Sequence, residues 1–158
     1  MDFVVRRGGL DDIDRLPALW SALREHHATL PAMPPVRSLD ESWAHRKAQY
    51  LDWLAGDRHT LLLAERDGEP IGYAVVSLGE GAATWDLGEP TTEIETLSVL
   101  ESERGNGVGR ALTEAAAALA TEAGARSVLV GVGHSNDDAI RFYESQGFEP
   151  FYVLMIKP

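Results

Sequence analysis

The sequence predicts a mixed α/β domain in three layers, with helices on both sides of a central, mostly antiparallel sheet. Three observations carry this. Hydrophobic spacing switches between helical and strand periods in the order β-α-α-β-β-β-α-β-α-β. Asp67-Gly68, between two apolar runs, marks a tight hairpin. The 158 residues, 44% hydrophobic and 25% charged, suffice for one well-buried core, so a single domain is expected over 1–158.

Phe3 to Arg7 reads as the first strand, closed by Gly8-Gly9. Ile13, Leu16, Trp20 and Leu23 recur at helical spacing, with Asp residues in the first turn and Pro17 early enough to be tolerated. His27 to Ser38, with Pro31, Pro34 and Pro35, reads as a loop. A second helix starts near Asp40, puts Trp43, Lys47, Tyr50, Leu51 and Leu54 on one face, and ends at Gly56. His59 to Arg66 and Pro70 to Leu78 are the strands of the hairpin. Gly79 to Pro90 is a long connection carrying Trp85, and Thr91 to Val99 is the next strand. Val108, Leu112, Ala115 and Leu119 line one face of the following helix, which Gly124 stops. Ser127 to Val132 is an unbroken apolar run suited to a buried strand. Asn136 caps a short helix ending at Gly147, and Phe148 to Ile156 is expected to finish the sheet.

Arg104-Gly105-Asn106-Gly107-Val108-Gly109 lies between a strand and a helix. Glycines let the backbone turn sharply and bring bare N–H groups close to a ligand, and the helix dipole adds positive potential at the same point. A phosphate or pyrophosphate fits there, and Arg104 and Arg110 flank it. A P-loop would require Gly-Lys-Ser/Thr, yet there is no lysine between Lys47 and Lys157. A dinucleotide fold would place the glycines early and an acid at the end of the next strand; Ser127 to Gly131 has none. A glycine-rich turn that binds nothing is the remaining alternative for the loop by itself.

Taken with Leu97-Ser98-Val99 and the segment Asn136 to Phe148, the loop resembles the GCN5-related N-acetyltransferases. Arg104, Gly107 and Gly109 meet the family's Q/R-x-x-G-x-G/A signature, and Asn136 and Tyr143 meet its Asn and Tyr seven residues apart. The resemblance covers Thr91 to Phe148 closely and the rest of the chain more loosely. It implies a splayed pair of parallel strands beside the glycine-loop helix, with the pantetheine arm of acetyl-CoA in the cleft. It further implies pyrophosphate on the amides of Arg104 to Gly109 and main-chain contacts from Leu97 and Val99. Asn136 would cap its helix and touch the cofactor arm. Valine at Gly107 or Gly109 is then expected to remove cofactor binding with the fold intact.

Acetyl transfer requires a neutral amine, a polarised carbonyl and a stabilised thiolate. An alkylammonium with a pKa of about 10.4 needs help to lose its proton, and a thiolate of about 8.5 gains from a nearby hydroxyl. Tyr143 is the candidate acid for the thiolate, and Glu95 the candidate base or water-positioner. Strict alternation would place Glu93, Glu95, Leu97 and Val99 on one face of their strand. Desolvation there would raise a carboxyl toward a useful range. Asp67 to Glu103 contains nine acids and no Lys, Arg or His, a field suited to a cationic amine, with Glu93 and Trp85 as acceptor-side residues. Pro31 to Pro35 would form the opposite wall.

The function expected is acetyl-CoA-dependent N-acetylation of a primary amine, a cationic small molecule, by direct attack in a ternary complex. A non-catalytic acyl-CoA sensor and an enzyme acting on a protein lysine or N-terminus are the alternatives. Ribosomal-protein N-terminal acetyltransferases carry a catalytic glutamate five residues before the Asn, where this chain has Gly131. A net charge of −11 argues against nucleic acid or anionic lipid, and no apolar run reaches membrane-spanning length. Zero cysteines exclude disulfides and thiolate metal sites, and the N-terminus is not a signal peptide, which fits the cytoplasm. His26, His27, His45, His59 and His134 are scattered, so no metal is expected, and the neighbours His26 and His27, on different sides of a helix, read as surface residues. A homodimer is left open.

Overall fold

Two sets of apolar side chains alternate along the central strands, and each set meets a different helical layer. A computed structural model describes residues 2–158. The strands are β1 (Val4–Arg7), β2 (His59–Arg66), β3 (Glu69–Gly79), β4 (Thr91–Val99) and β5 (Val128–Val130), hydrogen-bonded in that order. The first four are mutually antiparallel, and β4 and β5 are parallel. Helices α1 (Pro17–Ala28) and α2 (Leu39–Ala55) cover one face; α3 (Val108–Glu122) covers the other. The short helix α4 (Asp137–Glu144) follows β5. None of the described helices is long and apolar enough to cross a membrane.

The expected three layers are present. Leu61, Leu63, Tyr73 and Val75 face Leu16, Leu19 and Tyr50 on the α1/α2 side. Leu62, Ala64, Ala74, Val76 and Ile94 face Val108, Leu112 and Ala116 of α3. Asp67 and Gly68, both at positive φ (51° and 81°), form the turn of the β2–β3 hairpin. Gly72 lets α3 close on the sheet, because a Cβ there would lie 2.9 Å from Val108 Cγ1.

The last expected strand is absent. Phe148 packs on the α3-side core, but the chain beyond it forms no strand, and Tyr152 to Ile156 are 71–90% exposed. High β propensity expresses a fit to a pleated, half-buried surface rather than a backbone preference. Here β5 offers only three residues of edge and no helix covers the tail, so that surface is missing.

Four charges tie β1, β2 and the 3-10 turn Leu10–Arg15 together. Arg6 donates to Asp12 Oδ1 and to Glu65 Oε1, both at 2.8 Å, and Arg15 donates to Glu65 Oε1 at 2.7 Å. Hydrogen bonding to Arg6 holds both carboxyls below the ordinary range. Lowered carboxyl pKa values stabilise the folded state above the unfolded values of about 4, and that stabilisation is lost as pH falls through the folded values. Glu65→Gln combined with Asp12→Asn is therefore expected to cost about 1–3 kcal/mol at pH 7 and to flatten the loss of stability between pH 5 and 2. Thermal melts of both proteins across that range check it.

Candidate functional site

Pairing between β4 and β5 stops at Ile94–Val130, although β4 runs on to Val99. Beyond that point the two chains diverge around a cleft of about 670 Å³ lined by Ile94 to Val99 on one side and Val130 to Gly133 on the other. This is the splay that the resemblance implied.

One end of the cleft is rich in unsatisfied amides. Gly105 and Gly107 sit at φ 81° and 85°, a conformation that favours glycine, and Gly107 is the N-cap of α3. Among the described residues, the N–H groups of Gly105, Gly107, Val108, Gly109 and Arg110 have no hydrogen-bond acceptor. Arg104 and Arg110 are exposed beside them, and Arg104 Nε donates to Val99 O at 3.3 Å. Val108 contributes backbone alone, since its side chain is 1% exposed in the core. Asn106 does not line the cleft.

The helix α4 lines the same cleft. Asn136 is its N-cap, accepting from Ala139 N, and Tyr143, seven residues on, returns to the same helical face. Tyr143 stands between the rings of Phe142 and Phe148, with centroids 5.0 and 5.2 Å away. Burial pushes its hydroxyl up to about 12.

The strand β4 does not keep strict alternation. Val76 pairs with Ile94 but Val75 pairs with Thr96, which leaves Glu95 as the extra residue of a bulge. Leu97 and Val99 consequently pack toward α3, whereas Glu93 lies opposite Ser77, and Ser77 Oγ donates to Glu95 Oε1 at 2.7 Å. The expected common face is corrected: the carboxylates belong to the α1/α2 side. Glu95 lines the cleft and Glu93 does not. Burial, reinforced by the Glu95 charge, raises the Glu93 carboxyl.

Trp85 also stays out of the cleft. It is 57% exposed on the β3–β4 connection, edge-on to Phe151, and Asp86 beside it pairs with Arg126. The acidic run is thus partly neutralised from a distant stretch of chain. The loop between α1 and α2 packs beside the cleft without lining it: Met33 lies against Gly133, and His134 Nε2 is 3.2 Å from Ala32 O.

Sequence reasoning missed the histidines. His26 and His27 both line the cleft, and His26 Nε2 lies 3.1 Å from Asn136 Oδ1 across 110 residues of chain. Their one available signal was position, at the end of the helix preceding the proline loop.

Gly109 has a packing role as well. A Cβ there would lie 3.1 Å from Phe142 Cζ. Gly109→Val is therefore expected to cost about 1–3 kcal/mol of stability, contrary to the intact fold anticipated from sequence. Part of that loss should return when Phe142 is shortened to Leu in the same chain, which denaturant titrations of the single and double variants measure.

The sequence model of the Acetyltransferase (GNAT) family matches residues 20–148. An uncharacterized N-acetyltransferase of Archaeoglobus fulgidus is 30% identical over 146 residues, 90% of each chain. A mycothiol acetyltransferase of Thermobispora bispora is 36% identical over 111 residues, 68% of this chain and 35% of that protein. An uncharacterized N-acetyltransferase of Mycobacterium tuberculosis, Rv2669, is 31% identical over 102 residues, and the match spans 60% of its length. Among solved structures, an aminoglycoside N-acetyltransferase AAC(6')-Iy in complex with CoA superposes with a TM-score of 0.75 at 21% identity, covering 99% of this chain and 93% of that one. A GCN5-related N-acetyltransferase from Ralstonia eutropha gives 0.77 at 22% identity, over 99% and 97%. Signature, splayed strands and family match converge: the chain belongs to the GNAT acetyltransferase family.

Proposed function

We propose that the protein is an acetyl-CoA-dependent N-acetyltransferase that acetylates the primary amine of a cationic small molecule by direct attack in a ternary complex. The carrying observation is one open cleft lined both by the glycine loop with its free amides and by Tyr143. The amides of Gly105 to Arg110 suit the pyrophosphate of the cosubstrate, with Arg104 and Arg110 adding charge. From Glu95 onward the main chain of β4 has no strand partner on the β5 side, which suits the amide groups of a pantetheine arm. Asn136 lines the same channel.

In the transfer, the acceptor nitrogen bonds to the acyl carbon, the C–S bond breaks, and the sulfur leaves with the electron pair. Tyr143 is suited to donate a hydrogen bond to that sulfur. Full proton transfer from a hydroxyl near pKa 12 to a thiolate of about 8.5 is uphill by about 5 kcal/mol, so hydrogen-bond stabilisation is the role that its burial favours. Glu95, held by Ser77, supplies negative charge for an ammonium at the cleft, and Glu93 adds to the same side.

Retention of Tyr143 and Glu95 at the cleft favours an enzyme over an acyl-CoA sensor. The AAC(6')-Iy structures, one with CoA and one with the bisubstrate analogue CoA-S-monomethyl-acetylneamine, support a small amine as acceptor. A panel of primary amines incubated with acetyl-CoA, with release of free thiol as readout, tests the activity. Amine-dependent thiol release is expected, strongest with polycationic amines and weaker at high salt. Tyr143→Phe should lower kcat by about 10–100-fold with melting temperature nearly unchanged. No thiol release with any amine, despite acetyl-CoA binding, would favour the sensor.

A further inference from the structure

The oxygen of Asn136 is engaged twice. Oδ1 accepts from Ala139 N at 3.3 Å, which fixes the orientation of the amide, and it also lies 3.1 Å from His26 Nε2. A carbonyl oxygen can only accept, so His26 Nε2 carries a hydrogen and donates it. In the neutral ring the lone pair then belongs to Nδ1. No hydrogen bond to Nδ1 exists among the described residues, and the ring lines the cleft that also holds Glu95 and Tyr143.

We propose that His26 is the catalytic base that takes the proton from the acceptor ammonium, with Asn136 as the positioning residue that sets its tautomer. This rests on the acetyltransferase reading. The ammonium loses two protons on becoming an amide. His26 Nδ1 takes the first, exposes the nitrogen lone pair, and passes the proton to water. The second ends on the departing sulfur as the C–S bond breaks. One proton is released overall, and no oxidant, metal or further reactant is needed.

The titratable and charged groups that line the cleft together with this ring come from every wall. His27 is the next residue of α1, with its ring centroid 6.4 Å away; Glu95 comes from β4; Asp138 and Tyr143 come from α4; Arg104 and Arg110 stand at the glycine loop. Burial, and then the charge of His26, pushes the His27 imidazole down, so the two rings disfavour a doubly charged state. Glu95 offers the ammonium an opposite charge beside the base. Its carboxylate is already bonded to Ser77, and its place in the bulge is fixed by the β3–β4 register.

The test is His26→Gln, whose side-chain amide can still donate to Asn136 but cannot take a proton near neutrality. The pH dependence of kcat/KM for the best primary amine is measured by thiol release, together with the melting temperature. The expected result is a fall of about 100-fold or more at pH 7, loss of the acidic limb of the profile, and a melting temperature close to wild type. In His26→Ala, added imidazole should restore part of the rate. An unchanged acidic limb in His26→Gln, a fall confined to KM, or no rescue by imidazole would overturn the assignment while leaving the enzyme an acetyltransferase. A wild-type protein that releases no thiol with any amine would instead remove the reading on which it rests.

Discussion

The end of β4–β5 pairing at Ile94–Val130 is the constraint from which the rest of the site follows. Parallel strands in a buried sheet normally continue to bond, and an unpaired buried backbone costs free energy comparable to a lost hydrogen bond. Two features of this chain relieve that cost. Val130 is followed by Gly131 and Gly133, which carry the chain away beneath the α1–α2 loop. Across the gap, the bulge at Glu95 changes the register of β4 at the point where its partner leaves. The exposed edge becomes one wall of a cleft, and α3 begins at the far end of that wall with its first amides free.

The bulge also decides which chemistry meets which side. It sends Leu97 and Val99 into the α3-side core, where they hold the edge rigid, and leaves Glu95 toward α1 and α2. Beneath Glu95 on that side, the Tyr50 hydroxyl donates to Thr96 Oγ1 at 2.7 Å and lies 3.1 Å from the Tyr73 hydroxyl. These buried hydroxyls satisfy one another, and burial keeps both phenols protonated. Ser98 Oγ donates to Leu19 O and fastens α1 to the same strand at 2.7 Å. The helix that carries His26 is thereby docked on the strand that carries Glu95.

What could be read from the sequence was what local chemistry dictates. Asp67-Gly68 specified its turn because two successive positive φ angles admit few residues. Gly107 and the Asn136 cap marked helix starts for equally local reasons, and the seven-residue step to Tyr143 follows from helix geometry. The bulge did leave a trace: Ile94 and Leu97 stand three apart with Glu95 and Thr96 between them, so they share a face with Val99 only if one residue is extra, a signal that strict alternation passes over. The contact of His26 with Asn136 joins positions 110 apart and exists only after α1 docks. Phe151 to Ile156 failed in the opposite sense: the residues suit a strand, but a strand also requires a partner, and no local pattern reports one.

Desolvation favours the neutral form of two groups in the cleft, Tyr143 and His27. Around Tyr143 the rings of Phe142 and Phe148 exclude water on two sides, so the phenol stays protonated and can donate throughout the physiological range. At His27 desolvation, and then the charge of His26, favours the neutral imidazole. A hydroxyl held protonated and a His27 imidazole inclined to neutrality line a single cleft. On the proposed reading, Glu95 in the same cleft attracts the acceptor ammonium, whose deprotonation falls to His26.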